Sequence, residues 1–209
     1  MSRVFLASRN AKKLEELERI IGAHLPGLRV VGLDDVPAYD EPVEDEPTFT
    51  GNALIKARAG AAATGLPTLA DDSGLCVDAL NGMPGVLSAR WSGPPRSDLR
   101  NNELLLAQLA DVPDERRGAH FTCAVAFVHP DGRELVVEGR MDGRVIREMR
   151  GTGGFGYDVL FEAAEHPGVT TAELPVADKD AISHRGRALR EIAPGVATLL
   201  GAHSHDQDS

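Results

Sequence analysis

Val4-Phe5-Leu6-Ala7-Ser8-Arg9-Asn10-Ala11-Lys12-Lys13 is the stretch from which the fold can be read. The apolar run Val4 to Ala7 predicts a short strand, which breaks at the polar Ser8-Arg9-Asn10. Leu14, Leu17, Ile20 and Ile21 then recur at helical spacing. Strand, loop and helix in that order are the building unit of an α/β fold. The loop also gathers backbone N–H groups, a hydroxyl, an amide and a lysine at a helix N-terminus, where orphan donors and the helix dipole favour an oxyanion. Phosphate is the natural ligand. A plain Ser or Asn cap beside a solvated Lys fits the segment equally, so the segment alone does not decide.

Outward from this unit, a second strand is expected around Leu28 to Leu33, then an acidic, Pro-containing loop from Asp34 to Pro47. An Ala-rich helix of about fifteen residues follows from near Thr50, with Asn52 and Lys56 four apart and so on one face. Thr68-Leu69-Ala70 predicts a short strand ending at Asp71-Asp72-Ser73-Gly74. Ser97 can cap a helix whose Leu99, Leu105, Leu106 and Leu109 face inward. From Phe121 the pattern becomes period two, with Phe121, Cys123, Val125 and Phe127 on one face. A turn at Pro130-Asp131-Gly132 and a return strand from Leu135 to Val137 complete a hairpin. A further strand near Val145 leads to the Gly-rich loop Gly151 to Gly156, Tyr157 to Phe161 reads as extended, and a last helix runs from Ser183 to about Leu200.

The 209 residues, 42% hydrophobic, suffice for one domain of two lobes over 1–202 or for two small domains without a linker, the single domain being the expectation, with the polar 203–209 as a frayed tail. A net charge of −10 excludes a general attraction to DNA, RNA or anionic lipid. An anionic ligand must therefore be held by clustered Lys and Arg or by a metal. Cys76 and Cys123 lack metal-ligand spacing and read as buried reduced thiols. No apolar run approaches the roughly 20 residues of a membrane span, and no secretory pattern opens the chain. The expectation is a cytoplasmic protein.

Four constellations carry chemistry. Adjacent carboxylates at a strand end, Asp71-Asp72, suit a hard cation or the activation of water, and alternation points them to opposite sides; capping of the Ser73-Gly74 turn is the competing reading. Glu44, Asp45 and Glu46 offer a further metal ligand or merely a solvated acidic loop. Gly151-Thr152-Gly153-Gly154-Phe155-Gly156 matches G-x-G-x-x-G, yet no helix follows it, as a dinucleotide site requires, and no V-A-I-K, H-R-D or D-F-G follows, as a kinase requires. What survives is a Gly-rich turn presenting Phe155 and Asp158 to a flat ligand, although Phe155 can equally be a core aromatic. Lys179 and Ser183-His184-Arg185 place cations at the start of the last helix, against its dipole, which leaves a ligand-facing role open.

Taken in order, these segments resemble the inosine triphosphatase family, pyrophosphatases of non-standard purine nucleoside triphosphates. The carriers are Ser8-Arg9-Asn10-Ala11-Lys12-Lys13, Glu44 with Thr48-Phe49, Asn52-Ala53 to Lys56-Ala57, Ala70-Asp71-Asp72-Ser73-Gly74-Leu75, Pro84-Gly85-Val86 with Ser88-Ala89-Arg90, Gly153-Gly154-Phe155-Gly156-Tyr157-Asp158 and Ile182-Ser183-His184-Arg185. The resemblance runs from Leu6 to about Leu189. It implies an α/β fold on a long central mixed sheet with flanking helices, two lobes around a nucleotide-binding cleft, and a homodimer. It further implies that Ser8, Asn10 and Lys13, with Arg9, Ala11 and Lys12 of the same loop and Lys56, hold the triphosphate. Glu44 and Asp72 would bind Mg²⁺, with Asp72 as the catalytic base and Ser73 touching the substrate. Phe155 would stack on the purine, with Gly156, Tyr157, Asp158, Lys179, His184 and Arg185 completing nucleotide recognition.

The implied activity is hydrolysis of ITP, dITP and XTP to the monophosphate and pyrophosphate, which cleanses the nucleotide pool. A non-catalytic purine-nucleotide sensor on the same fold is the alternative, and the intact Asp72, Lys13 and Lys56 favour the enzyme. The chain departs from the family pattern at Glu46-Pro47, where Gly-x commonly precedes Thr-Phe, at Val159, where Pro is common, and at Asp178, where Glu is usual. Pro47 stiffens the loop that carries Glu44.

Overall fold

The computed structural model describes residues 3–201; the tail expected over 203–209 lies outside the described residues. Along the chain stand β1 (Arg3–Leu6), α1 (Ala11–His24), β2 (Arg29–Val31), α2 (Phe49–Thr64), β3 (Thr68–Val77), α3 (Asp98–Gln108), β4 (Gly118–Val128), β5 (Glu134–Val145), β6 (Phe161–Ala163), α4 (Val176–Ile182) and α5 (His184–Gly201). The strands form one six-stranded sheet in the order β2-β1-β3-β4-β5-β6. β1 pairs in parallel with β2 and β3, and β5 pairs antiparallel with β6, so the sheet is mixed and the fold is α/β as expected.

Two compact units divide the chain. Among the described residues the first comprises 3–72, 123–139 and 185–201, the second 73–122 and 140–184. In the first, successive residues of β1 face opposite layers. Val4 and Leu6 join Leu69, Cys123, Val125 and Phe127 against Ile20 and Ile21 of α1 and Leu189, Ile192 and Val196 of α5. Phe5 joins Ala70, Ala124 and Ala126 against Ala53, Ala57 and Ala61 of α2. That second layer is built from small residues because α2 lies close: a Cβ on Gly60 would stand 2.9 Å from the Phe5 ring. Full burial of each large aliphatic or Phe side chain contributes about 1.5–3 kcal/mol. In the second unit Leu75, Val77, Leu105, Leu109, Phe121, Met141, Tyr157, Leu160 and Phe161 make a separate core.

Several sequence expectations are corrected. β3 does not end at Asp71-Asp72 but runs ten residues, through Ser73 and Gly74 to Val77. Its place inside the sheet, with β1 alongside its first residues at Thr68 and Leu69, overrides the low strand propensity of Asp, Ser and Gly, so neither carboxylate caps a turn. The return strand of the hairpin likewise continues unbroken to Val145. Tyr157 to Leu160 form turns, not a strand, because the Leu160 N–H returns to the Tyr157 carbonyl at 2.9 Å. A separate helix, α4, precedes α5, with Ser183 between them in extended conformation. Leu99 faces outward at 57% exposure; the inward face of α3 carries Asn101 and Asn102 as well as Leu105. Cys123 is a buried free thiol, but Cys76 is only partly buried. No helix among the described residues is long and apolar enough to cross a membrane.

Candidate active site

Alternation along β3 sends two neighbouring carboxylates to different layers of the first unit. Asp71 points toward α1 and α5. Its Oδ2 accepts from Lys13 Nζ at 2.9 Å and from Arg185 Nε and Nη2 at 3.2 Å each. Arg185 also pairs with Glu16, and all three of Asp71, Arg185 and Glu16 are buried. Burial by itself pushes Asp71 up, but Lys13, Arg185 and Lys56 outweigh it and hold the carboxyl far below the ordinary range. Burial pushes the Cys123 thiol, 3.8 Å from the same oxygen, up to about 12.

Asp72 points toward α2. Its Oδ2 accepts from Asn52 Nδ2 at 3.2 Å, and its Oδ1 lies 3.7 Å from Lys56 Nζ. Asn52 and Lys56, one helical turn apart, therefore reach one carboxylate, as their spacing predicts. Here burial wins: it raises the Asp72 pKa against the opposing charges of Lys56 and Lys13. A carboxylate so poised is the more basic of the pair. Glu44 Oε1 stands 3.4 Å from the same Lys56 Nζ. Of the three loop acids Glu44 alone is partly buried, while Asp45 and Glu46 are exposed.

Two carboxylates thus converge on one ammonium. Among the described residues no three His, Cys, Asp or Glu side chains gather as a complete metal-ligating group. One or two carboxylates with the rest of the shell from water and phosphate oxygens is what Mg²⁺ takes, since it dehydrates reluctantly. The donor set of Glu44 and Asp72 fits that ion.

The loop after β1 caps α1. Asn10 Oδ1 accepts from the Lys12 and Lys13 N–H groups at 3.1 and 3.3 Å, and Ser8 Oγ accepts from the Asn10 N–H at 3.3 Å. Arg9, Ala11 and Lys12 are exposed, and Arg9 Nε reaches Glu41 at 2.5 Å, tying this loop to the acidic one.

In the second unit the Gly-rich loop closes on Asp158. Its Oδ2 accepts from the Phe155 N–H at 2.8 Å and from Lys179 Nζ at 2.6 Å, and its Oδ1 from Thr171 Oγ1 at 2.8 Å. Lys179 Nζ stands 5.4 Å from the centroid of the partly buried Phe155 ring. Gly156 is held at both ends: its N–H donates to Asp98 Oδ2 and its carbonyl accepts from Asn102 Nδ2, each at 2.8 Å. Tyr157 is buried, its hydroxyl donating to the Ser88 carbonyl at 2.9 Å, which makes it a packing residue. The His184 ring stacks on Phe121 at 4.8 Å and 11°. Ser73 follows Asp72 in β3 and is partly buried.

Sequence reasoning named Lys13, Glu44, Asn52, Lys56 and Asp72 in the first unit and Phe155, Asp158 and Lys179 in the second, and the structure brings each group together within its unit. It did not find Glu16, Asp98, Asn102 or Thr171. Glu16 stands one turn beyond Lys13 amid the apolar positions of α1, and an acid there was a signal. Asn101-Asn102 inside a helix was another, because Asn is a poor helix former. Arg185, read as ligand-facing, is committed to Glu16 and Asp71 in the interior.

The Ham1 family model matches residues 4–194. A relative from Nocardia farcinica, named dITP/XTP pyrophosphatase, is 62% identical over 95% of this chain and 97% of its own. The crystal structure of a nucleoside-triphosphatase / dITP/XTP pyrophosphatase from Mycobacterium abscessus is 55% identical, with a TM-score of 0.74 over 92% of this chain and 99% of that one. A HAM1 protein structure from Coxiella burnetii is 38% identical, with a TM-score of 0.84 over 95% of this chain and 100% of that one. With the loop after β1, the paired carboxylates and the Gly-rich loop all inside the matched span, the chain belongs to the Ham1 family.

Proposed function

We propose that the protein hydrolyses non-standard purine nucleoside triphosphates, dITP, XTP and ITP, to the nucleoside monophosphate and pyrophosphate. The observation that carries this reading is the convergence of Glu44 and Asp72 on Lys56 Nζ, at 3.4 and 3.7 Å, in a unit that also presents the helix N-terminus capped by Asn10. The names of the relatives support the same chemistry and substrate class.

In this reading Lys13, Lys56 and the Ser8–Asn10 loop bind the phosphates and offset the charge that develops on their oxygens. Lys13 holds Asp71 and Lys56 holds Glu44 and Asp72, so both ammonium groups are kept in place before the nucleotide arrives. Asp72, its basicity raised by burial, orients the attacking water and takes its proton as the oxygen bonds to the α-phosphorus. The bond to the bridging oxygen breaks and pyrophosphate leaves. Glu44 and Asp72 would hold Mg²⁺, which when bound neutralises charge on the phosphate oxygens. Phe155 would stack on the purine, and donors directed at a 6-oxo group would reject the 6-amino group of adenine. Thiols kept reduced fit a cytoplasmic setting, and assembly as a homodimer is part of the proposal, open to sedimentation.

The test is a steady-state comparison of dITP, XTP, ITP, dGTP and dATP with Mg²⁺, with pyrophosphate and orthophosphate detected separately. Pyrophosphate release from the first three, in preference to the last two, is expected. Nucleotide binding with no pyrophosphate would favour the sensor instead.

A further inference from the structure

Asn52 is fully enclosed, at 1% exposure, and its amide is used on three sides. Oδ1 accepts from the Glu46 N–H at 3.0 Å. Nδ2 donates to the Glu46 carbonyl at 3.2 Å and to Asp72 Oδ2 at 3.2 Å. The orientation of the amide is forced: the Glu46 N–H requires an acceptor, so the NH₂ must face the two oxygens. No other side chain of this size supplies one acceptor and two donors in that arrangement. Aspartate offers only oxygens, and serine is too short to span both partners.

The consequence is mechanical. Residue 46 is pinned by both of its backbone polar groups to the first turn of α2, where Thr48 Oγ1 also accepts from the Gly51 N–H at 3.0 Å. Glu44 lies two residues upstream on the pinned segment. The same amide takes Oδ2 of Asp72, which leaves Oδ1 on the side of Lys56 and Glu44. Asn52 therefore sets the distance between a loop carboxylate and a strand carboxylate that share no secondary structure. We infer that Asn52 is a positioning residue that holds Glu44 and Asp72 at one cation-binding spacing, an inference that rests on those two carboxylates serving a divalent ion as proposed above.

The full-length protein is compared with Asn52→Ala, which removes every contact, and with Asn52→Asp, which keeps the volume and the acceptor for the Glu46 N–H. Mn²⁺ affinity is measured by calorimetry without nucleotide, and kcat and KM are measured with dITP and Mg²⁺. Loss of such an outer partner typically weakens metal affinity or turnover roughly 10- to 100-fold. A drop of that size in both Mn²⁺ affinity and kcat, with KM changed by no more than about threefold, is expected in Asn52→Ala; in Asn52→Asp the added carboxylate attracts the cation itself and repels Asp72, so there the drop is expected in kcat. Leu189→Ala, which truncates the core on the α5 side of the sheet, should lower the melting temperature while leaving Mn²⁺ affinity as in the wild type. A folded Asn52→Ala that binds Mn²⁺ like the wild type, or a folded Asn52→Asp that turns over like it, overturns the inference, as does a wild type that turns over dITP yet binds no Mn²⁺. Should the wild type release no pyrophosphate from dITP, the proposed function fails, and the Mn²⁺ comparison still decides the role of Asn52.

Discussion

Asp71 and Asp72 are neighbours in β3 with opposite electrostatic fates: Lys13 and Arg185 draw the first into a buried ion cluster, while Asn52 and Lys56 hold the second in a site where burial prevails. Their pKa values are pushed apart, Asp71 down and Asp72 up. Such a split suits one of two chemically identical side chains to a structural anion and the other to the base proposed above.

Asp72→Asn should abolish turnover while nucleotide binding persists, because the proposed base and metal ligand is lost and Lys13, Lys56 and the loop after β1 are not. The same variant should be more stable than the wild type near neutral pH. A carboxyl whose folded pKa is raised binds more protons folded than unfolded between the two values, so its ionisation opposes folding above that window. Thermal melts at pH 7 and nucleotide titration check both parts; near-normal turnover would remove Asp72 from the mechanism.

Asp71 has the opposite sign. Its folded pKa is depressed, so its contribution to stability is present above the unfolded value of about 3.9 and is lost as pH falls below it. Asp71→Asn should be less stable at pH 7, by about 3–5 kcal/mol, because Arg185 and Lys13 lose a buried counter-charge. It should also show a flatter decline in stability between pH 5 and 3 than the wild type, by at most about 1.4 kcal/mol per pH unit. Urea unfolding at a series of pH values gives both.

Arg185→Ala should act first on the fold. The guanidinium is buried between Glu16 and Asp71, and removing it leaves two acids without their shared cation. A loss of about 3–5 kcal/mol in urea unfolding is expected. Unchanged stability with an altered ratio of ITP to ATP turnover would return Arg185 to the ligand-facing role read from the sequence.

Much of this was legible in the residues. The strand-loop-helix of Val4 to Lys13, the i, i+4 pair Asn52 and Lys56, and the hairpin turn at Asp131-Gly132 all declare themselves through local rules of spacing and capping. What was not legible depends on partners distant in sequence. Ser73-Gly74 reads as a turn until the ten-residue strand β3 is seen to run through it to Val77. Arg185 reads as an anion receptor for a ligand until Glu16, 169 residues away, is seen to be its anion. Asp98 and Asn102 look like helix surface until Gly156, 58 and 54 residues on, is found between them.

The two thiols should differ in reactivity. Burial raises the pKa of both, with Cys123 pushed up to about 12 and Cys76 left partly accessible on β3. A chromogenic disulfide reagent at pH 8 should titrate Cys76 slowly and Cys123 only after denaturation, because the thiolate is the reacting species. Equal reaction of both in the native state would contradict the burial of Cys123.

Gly154→Ala should loosen the Gly-rich loop of the second unit and leave Glu44, Lys56 and Asp72 of the first unchanged. Gly154 has φ +69°, where an L side chain costs about 1–2 kcal/mol. An added Cβ would stand 2.1 Å from Asp158 Oδ2 and 2.9 Å from Lys179 Nζ, so the carboxylate must give way. Moving it breaks the bond that fixes the Phe155 N–H and releases Lys179 from its place near the ring. If Phe155 stacks on the purine, KM for dITP should rise by about tenfold or more while Mn²⁺ affinity at Glu44 and Asp72 stays constant. A lowered melting temperature with unchanged KM would mean that this loop supports the fold and that the purine is held by other residues.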